Sequence, residues 1–226
     1  MGQLPLPLQL ADHAVFDSFL PAGNEALVAT LIEVAGRTGA GCWLWGGAAS
    51  GKTHLLQAIC ERAGDRSVYV PLKVFAEAGP EVIEGLASRE LVCLDDIDIV
   101  AGDAGWEEAL FELCNQLLDS EAQLVVAALC SPRESLIRLP DLKSRLSRLP
   151  VFQLQALSEE QRVAALQLRA GHRGLELPAE TARFMLSRSR RDMASLYQLL
   201  DRLDLEALRA KRRLTIPFVS EVLRQS

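Results

Sequence analysis

The stretch Cys42-Trp43-Leu44-Trp45-Gly46-Gly47-Ala48-Ala49-Ser50-Gly51-Lys52-Thr53-His54-Leu55-Leu56 decides the fold. Its residues 46–53 fit the pattern G-x-x-x-x-G-K-[ST]. The apolar run before them reads as a buried strand, and the amphipathic segment from Thr53 to Arg62 reads as a helix. Strand, glycine-rich turn and helix in that order make a phosphate-binding loop. The backbone N–H groups of such a turn and the N-terminus of the helix face a polyphosphate together. Lys52 is spaced to reach β- and γ-phosphates, and the Thr53 hydroxyl to ligate Mg²⁺. Gly46, Gly47, Ala48, Ala49, Ser50, Gly51, Lys52 and Thr53 therefore form the core of a candidate nucleotide site.

Outward from this loop, strands alternate with helices. A helix is expected over 24–36 before the loop. After it come a short strand at Ser67–Pro71, a helical stretch from Pro80 to Ala87, and the apolar run Leu91-Val92-Cys93-Leu94 ending in Asp95-Asp96. Apolar residues at 106, 109, 110, 113, 114, 117 and 118 follow helical spacing. Further strands are expected at Leu124–Leu129 and Pro150–Leu154. Ser158-Glu159-Glu160-Gln161 then has the form of a capping box, and helices near 178–189, 191–210 and 216–224 follow. The expectation is an α/β P-loop domain whose five-stranded parallel sheet is flanked by helices (11–156), followed by a small helical lid (157–226). An extended or polyproline-like segment is expected over 1–10, because Pro5 and Pro7 forbid helix there.

Composition narrows the function classes. Of the 226 residues, 49% are apolar, enough for a real core, yet no apolar run reaches the roughly 18 residues that a membrane span needs. The N-terminus lacks the basic and apolar regions of a secretory leader. Five cysteines without a C-x-x-C pair read as small buried hydrophobes in a reducing cytoplasm. Three histidines and no Cys/His cluster argue against a transition-metal site. Residues 1–127 hold 6 Lys/Arg against 19 Asp/Glu, whereas residues 128–226 hold 18 against 11. The acidic first half disfavours direct duplex binding. The basic second half fits DNA, an acidic partner or solvated helix faces equally well.

A Mg·nucleotide site needs a carboxylate opposite the loop, and Asp95 at its strand end suits that role. Asp96 is placed to orient a water. The strand expected between the loop strand and the acidic strand, Leu124–Leu129, supplies no Asp, Asn or Thr before Ser131, which argues against vigorous intrinsic hydrolysis. Cations able to neutralise transition-state charge are Arg145, in Leu142-Lys143-Ser144-Arg145-Leu146, and Arg191, at the start of a lid helix.

Taken together these motifs resemble the DnaA-related AAA+ family, and within it the short Hda branch that inactivates DnaA. Phe16-Asp17-Ser18-Phe19 with Asn24 is similar to the family's entry segment, so the resemblance implies that Phe19 and Asn24 adjoin the base. Lys52-Thr53-His54-Leu55-Leu56 matches the extended P-loop, which adds His54 to the site. Leu91 to Ile97 resembles the Walker B strand, and Leu139 to Leu146 the arginine-finger segment. Arg145 then matches the finger that acts in trans, Arg191 the sensor 2 arginine, and Leu129 the sensor 1 position, which is polar in the family. Gln3-Leu4-Pro5-Leu6-Pro7-Leu8 resembles the motif with which bacterial proteins bind the β sliding clamp. Gln3, Leu4, Leu6, Pro7 and Leu8 are its expected contacts, and a proline-limited backbone lowers the ordering cost of such a peptide.

The resemblance implies bound ADP or ATP with Mg, the β sliding clamp and DnaA as partners, DNA met only through the clamp, and regulatory inactivation of DnaA in the cytoplasm. It also allows self-association. The chain ends shortly after the lid, so no DNA-reading domain is expected. Two other readings compete: an AAA+ loader or initiator-like ATPase acting on DNA, and a small-molecule P-loop kinase.

Overall fold

The computed structural model describes residues 14–37, 40–188, 192–210 and 212–224. Five short parallel strands form one sheet: β1 Gly41–Trp45, β2 Ser67–Pro71, β3 Leu91–Asp95, β4 Gln123–Ala128 and β5 Val151–Gln153. Their spatial order is β2-β3-β4-β1-β5. Strand β4 thus lies between the loop strand and the acidic strand. The register sets Trp43 and Cys93 at neighbouring levels of β4, opposite Val126 and Val125. β1 can start where it does because position 41 is glycine. Its φ is 83°, and a Cβ there would collide with the Leu124 carbonyl.

Alternation along the strands divides the core into two layers. Val70, Val92, Leu94, Trp43, Val126 and Ala128 share one cluster with Leu110, Leu113 and Leu117 of α4 (Ala104–Asp119) and Leu142 and Leu146 of α5 (Pro140–Leu146). On the opposite face pack α1 (Glu25–Ala35) and α2 (Lys52–Ala63), through fully buried Leu31, Leu55, Leu56 and Ile59. A short α3 (Leu72–Phe75) follows β2.

One expected element is replaced. Residues 80–87 do not form a continuous helix; they make two 3₁₀ turns, Pro80–Ile83 and Leu86–Ser88. Gly79 and Gly85 stand at φ 95° and 75°, left-handed conformations that bound each turn and prevent them from merging.

Cα proximity divides the chain into two compact units, whose bulk is residues 23–48 with 52–155 and residues 156–226. The second unit is all helical: α6 Glu159–His172, α7 Ala179–Arg188, α8 Met193–Ala210 and α9 Ile216–Arg224. The capping box is present as the sequence implies. The Ser158 hydroxyl accepts from the Gln161 N–H at 3.3 Å, and the Gln161 side chain accepts from the Ser158 N–H at 2.8 Å. Leu166, Met185, Leu196, Leu200, Leu203 and Val219 fill this unit's core. Arg169 is buried among them, its guanidinium 4.1 Å from the Tyr197 ring centroid. No helix among the described residues is long and apolar enough to cross a membrane.

Candidate functional site

The C-terminal ends of β1 and β3 bring the loop and the acids together, the location at which open α/β sheets bind ligands. The Gly46 N–H donates to Ala128 O at 3.2 Å, so the loop leaves the sheet tied to β4. Within it, Ala49 and Gly51 carry the left-handed φ values, 56° and 105°. Gly47 carries none, and a Cβ there would meet nothing. The loop's backbone demand for glycine therefore falls at Gly51, and alanine bears it at position 49. The Ser50 Oγ is buried and makes no hydrogen bond. Such an orphaned hydroxyl fits a loop built to be completed by a polar ligand.

Lys52, the first residue of α2, is 6% exposed. Its ammonium donates to Gly46 O at 2.8 Å and to Gly47 O at 2.9 Å. Burial pulls its pKa below the usual 10.5, while Asp95, Asp96 and Asp98 pull it back up. Beside it, the Thr53 hydroxyl donates to Asp95 Oδ2 at 2.7 Å. Asp95 is 1% exposed, and burial lifts its carboxyl above the usual 3.8. Thr53 opposes that rise and the neighbouring Asp96 adds to it. Thr53 and Asp95 bring two side-chain oxygens to one place, a donor set of the size that Mg²⁺ takes from a protein when it keeps its waters. Among the described residues there is no group of three or more His, Cys, Asp and Glu able to hold a metal by itself.

Two contributors escaped sequence reading. The Tyr69 hydroxyl, on β2, donates to Asp95 Oδ2 at 2.9 Å, and burial first, then the Asp95 carboxylate, push the Tyr69 pKa up. Asp98, two residues past the acidic pair, accepts from the Leu129 N–H at 2.6 Å and from the Cys130 thiol at 3.8 Å. Leu129 itself is half exposed at the end of β4 and brings no polar side chain there. The extra acid in Asp95-Asp96-Ile97-Asp98 was the only available signal for this bond.

Asp96 sits in a left-handed turn, φ 57° and ψ 45°, with its N–H on Asp95 Oδ1 at 3.1 Å. Asp tolerates this conformation better than most residues, and it is frequent at functional turns. His54 Nε2 lies 2.9 Å from Val15 O and acts there as the N–H donor. Asn24 is 5% exposed, and its carboxamide bonds Gln155 at both ends: Oδ1 accepts from the Gln155 N–H at 2.7 Å, and Nδ2 donates to Gln155 O at 3.4 Å. Phe19 is half-buried.

Arg145 stands apart from the loop, on α5. Its guanidinium lies 5.3 Å from the centroid of the Phe111 ring of α4. The chain entering α5 is clamped by buried Glu107, whose carboxylate accepts from the N–H groups of Gly102 (2.7 Å), Arg138 (2.9 Å) and Leu139 (2.7 Å). Burial works to raise the Glu107 pKa, but these three donors win and hold it below 4.5. Gln3, Leu4, Leu6, Pro7, Leu8 and Arg191 lie outside the described residues.

A P-loop lysine and threonine facing a strand-end Asp, on a sheet of this order with a helical second unit, define a P-loop protein of the AAA+ class. The family model of the bacterial DnaA ATPase domain matches residues 10–150, and that of the Hda lid domain matches residues 159–223. The chain belongs to the DnaA-related AAA+ family. Its fold is similar to domain III of the Thermotoga maritima replication initiation protein DnaA, at 23% identity and a TM-score of 0.78, over 96% of this chain and 98% of that one. It is also similar to AMPPCP-bound DnaA from Aquifex aeolicus, at 20% identity and a TM-score of 0.72, over 96% of this chain and 70% of that one. A Thermotoga maritima RuvB structure aligns at 18% identity with a TM-score of 0.64, over 89% and 67%. At these identities the structural likeness establishes the fold.

Proposed function

We propose that this AAA+ protein is a regulatory inactivator of DnaA. The observation that carries the reading is the lid: residues 159–223 match the Hda lid domain, while residues 10–150 match the DnaA ATPase domain. In this reading the protein acts in the cytoplasm, tethered to a DNA-loaded β sliding clamp through Gln3, Leu4, Leu6, Pro7 and Leu8. It meets DNA only through that clamp, and it limits re-initiation of replication by stimulating hydrolysis of DnaA-bound ATP. Self-association of the protein is compatible with this reading.

Its own nucleotide, ADP or ATP, is assigned to Lys52, Thr53, His54 and the loop backbone, with Arg191 as a further expected contact and Phe19 and Asn24 as the expected neighbours of the base. Mg²⁺ supplies neutralisation of phosphate charge when bound, and Thr53 and Asp95 are the residues that would hold it. Arg145 serves DnaA's nucleotide in trans. Water attacks the γ-phosphorus, the bond from that phosphorus to the β,γ-bridging oxygen breaks, and the leaving ADP takes up negative charge. A guanidinium at that point is worth about 10³–10⁵ in rate in the best cases.

The test is hydrolysis of DnaA-bound ATP on clamp-loaded DNA, comparing wild type, Arg145→Ala and the double variant Gln3→Ala/Leu4→Ala. Wild type should stimulate and both variants should not. Equal stimulation by all three proteins would overturn the reading.

A further inference from the structure

Helices α4 and α5 enclose a groove of about 320 Å³ lined by Phe111, Asp141, Ser144, Arg145 and Arg148. Two of its five lining groups are guanidiniums. Neither Arg145 nor Arg148 is ion-paired with a carboxylate among the described residues, although Asp141 stands in the same groove one turn before Arg145. Some of the protein's other arginines are ion-paired. Arg37 and Arg66 share Glu90, Arg173 holds Asp201 at 2.7 Å, and Arg212 holds Glu221 at 2.8 Å. Two guanidiniums beside one carboxylate leave the concavity with a net positive charge.

The two arginines are held differently. Arg145 has its guanidinium 5.3 Å from the centroid of the Phe111 ring, a contact that favours one placement of its side chain. Arg148 follows the end of α5, its N–H on Arg145 O at 3.0 Å, and its side chain is exposed. The Ser144 hydroxyl, four residues before Arg148, adds a neutral donor. Two guanidinium forks and a hydroxyl around one space match a multi-oxygen anion carrying more than one charge, such as the end of a polyphosphate.

We infer that Arg148 is a second phosphate-contacting arginine, which closes with Arg145 on the terminal phosphate of a nucleoside triphosphate held by a partner AAA+ subunit. The inference rests on the trans role of Arg145 proposed above. While the γ-phosphoryl group passes to water and ADP leaves, the charge spread over the phosphoryl oxygens and the leaving oxygen meets two guanidiniums instead of one. The contribution of Arg148 therefore falls on the chemical step more than on docking.

The experiment measures hydrolysis of DnaA-bound ATP on clamp-loaded DNA against DnaA concentration, for wild type, Arg145→Ala, Arg148→Ala and Arg148→Lys, with a thermal melt of each variant. Arg148→Ala should lower the maximal stimulated rate about tenfold, the scale of one charged hydrogen bond. The half-saturating DnaA concentration should move by less than about threefold. Arg148→Lys should recover part of the rate, since it keeps the charge and loses the fork. A wild-type rate in Arg148→Ala beside an inactive Arg145→Ala overturns the inference and leaves the functional reading standing. An unchanged maximal rate with a raised half-saturating concentration also overturns it, because Arg148 then contacts an acidic surface of the partner protein. Absence of stimulation by wild type removes the functional reading and the inference together.

Discussion

The Thr53 hydroxyl donates to Asp95 Oδ2 at 2.7 Å, joining the first turn of α2 to the end of β3 across 42 residues of sequence. The carboxylate so held is nearly fully buried and is disfavoured as an anion by that burial. Its folded pKa lies above the 3.8 of the unfolded chain. Between those two values the folded state holds the proton that the unfolded state has lost, so stability falls as pH rises through the window. Above it the cost is constant. Asp95→Asn should therefore raise the melting temperature at pH 7, by about 2–4 °C for each kcal/mol relieved at this chain length. The gain should shrink as the pH is brought below the folded value. The same variant should bind Mg·nucleotide at least about tenfold more weakly, through loss of a charged ligand. Melting scans across pH and calorimetric titration check the pair. A variant that is less stable than wild type at pH 7 contradicts the argument.

Tyr69→Phe removes the second donor to Asp95 Oδ2 and leaves the ring in place. A hydrogen bond to a charged group is worth about 1.5–3 kcal/mol, so the variant should unfold at lower denaturant by that amount with an unchanged slope. In the double variant Tyr69→Phe/Asp95→Asn the loss should be smaller, because the charge that the hydroxyl served is gone.

Glu107 clamps the entrance to α5 with its carboxylate on three backbone N–H groups. Its folded pKa lies below 4.5, so its contribution is fully present above that value and is lost as pH falls through the folded pKa. Glu107→Gln should cost about 2 kcal/mol at pH 7, since an amide turns an NH₂ group toward donors. The gap from wild type should narrow in acid. Denaturant unfolding at several pH values reads both effects, and a pH-independent gap would contradict this account.

Intrinsic ATP turnover by the isolated protein should be negligible. Leu129 brings no polar side chain to the end of β4, and the Asp98 carboxylate bonded there accepts from the Leu129 N–H. Steady turnover above about 1 s⁻¹, the low end of common enzyme rates, would contradict this expectation.

Local patterns carried the legible part of the fold. The loop 46–53, the apolar strand ending in Asp95 and the capping box at Ser158 each lie within a few residues, and each stands in the structure as the sequence implies. The bonds that complete the site span the sheet instead. Tyr69 meets Asp95 because β2 and β3 pair with Tyr69 opposite Cys93, and Asp98 meets Leu129 because β4 follows β3 in the sheet. Nothing within β2 marks Tyr69 for that role. The expected helix over 80–87 failed for another reason: the backbone at Gly79 and Gly85 turns left-handed, and a glycine by itself does not announce which hand it will take. The groove beside Arg145 depends on α4 laying Phe111 under a guanidinium 34 positions later, a packing relation with no periodic signature.

The two carbonyls under Lys52 give the loop a fastening of its own. A phosphate that arrives meets an ammonium with two of its three donors already on Gly46 and Gly47, so the affinity measured includes whatever those bonds give up. The converse also holds. When a phosphate departs, the same lysine can return to its own chain, and the surface around the loop need not melt between one occupant and the next.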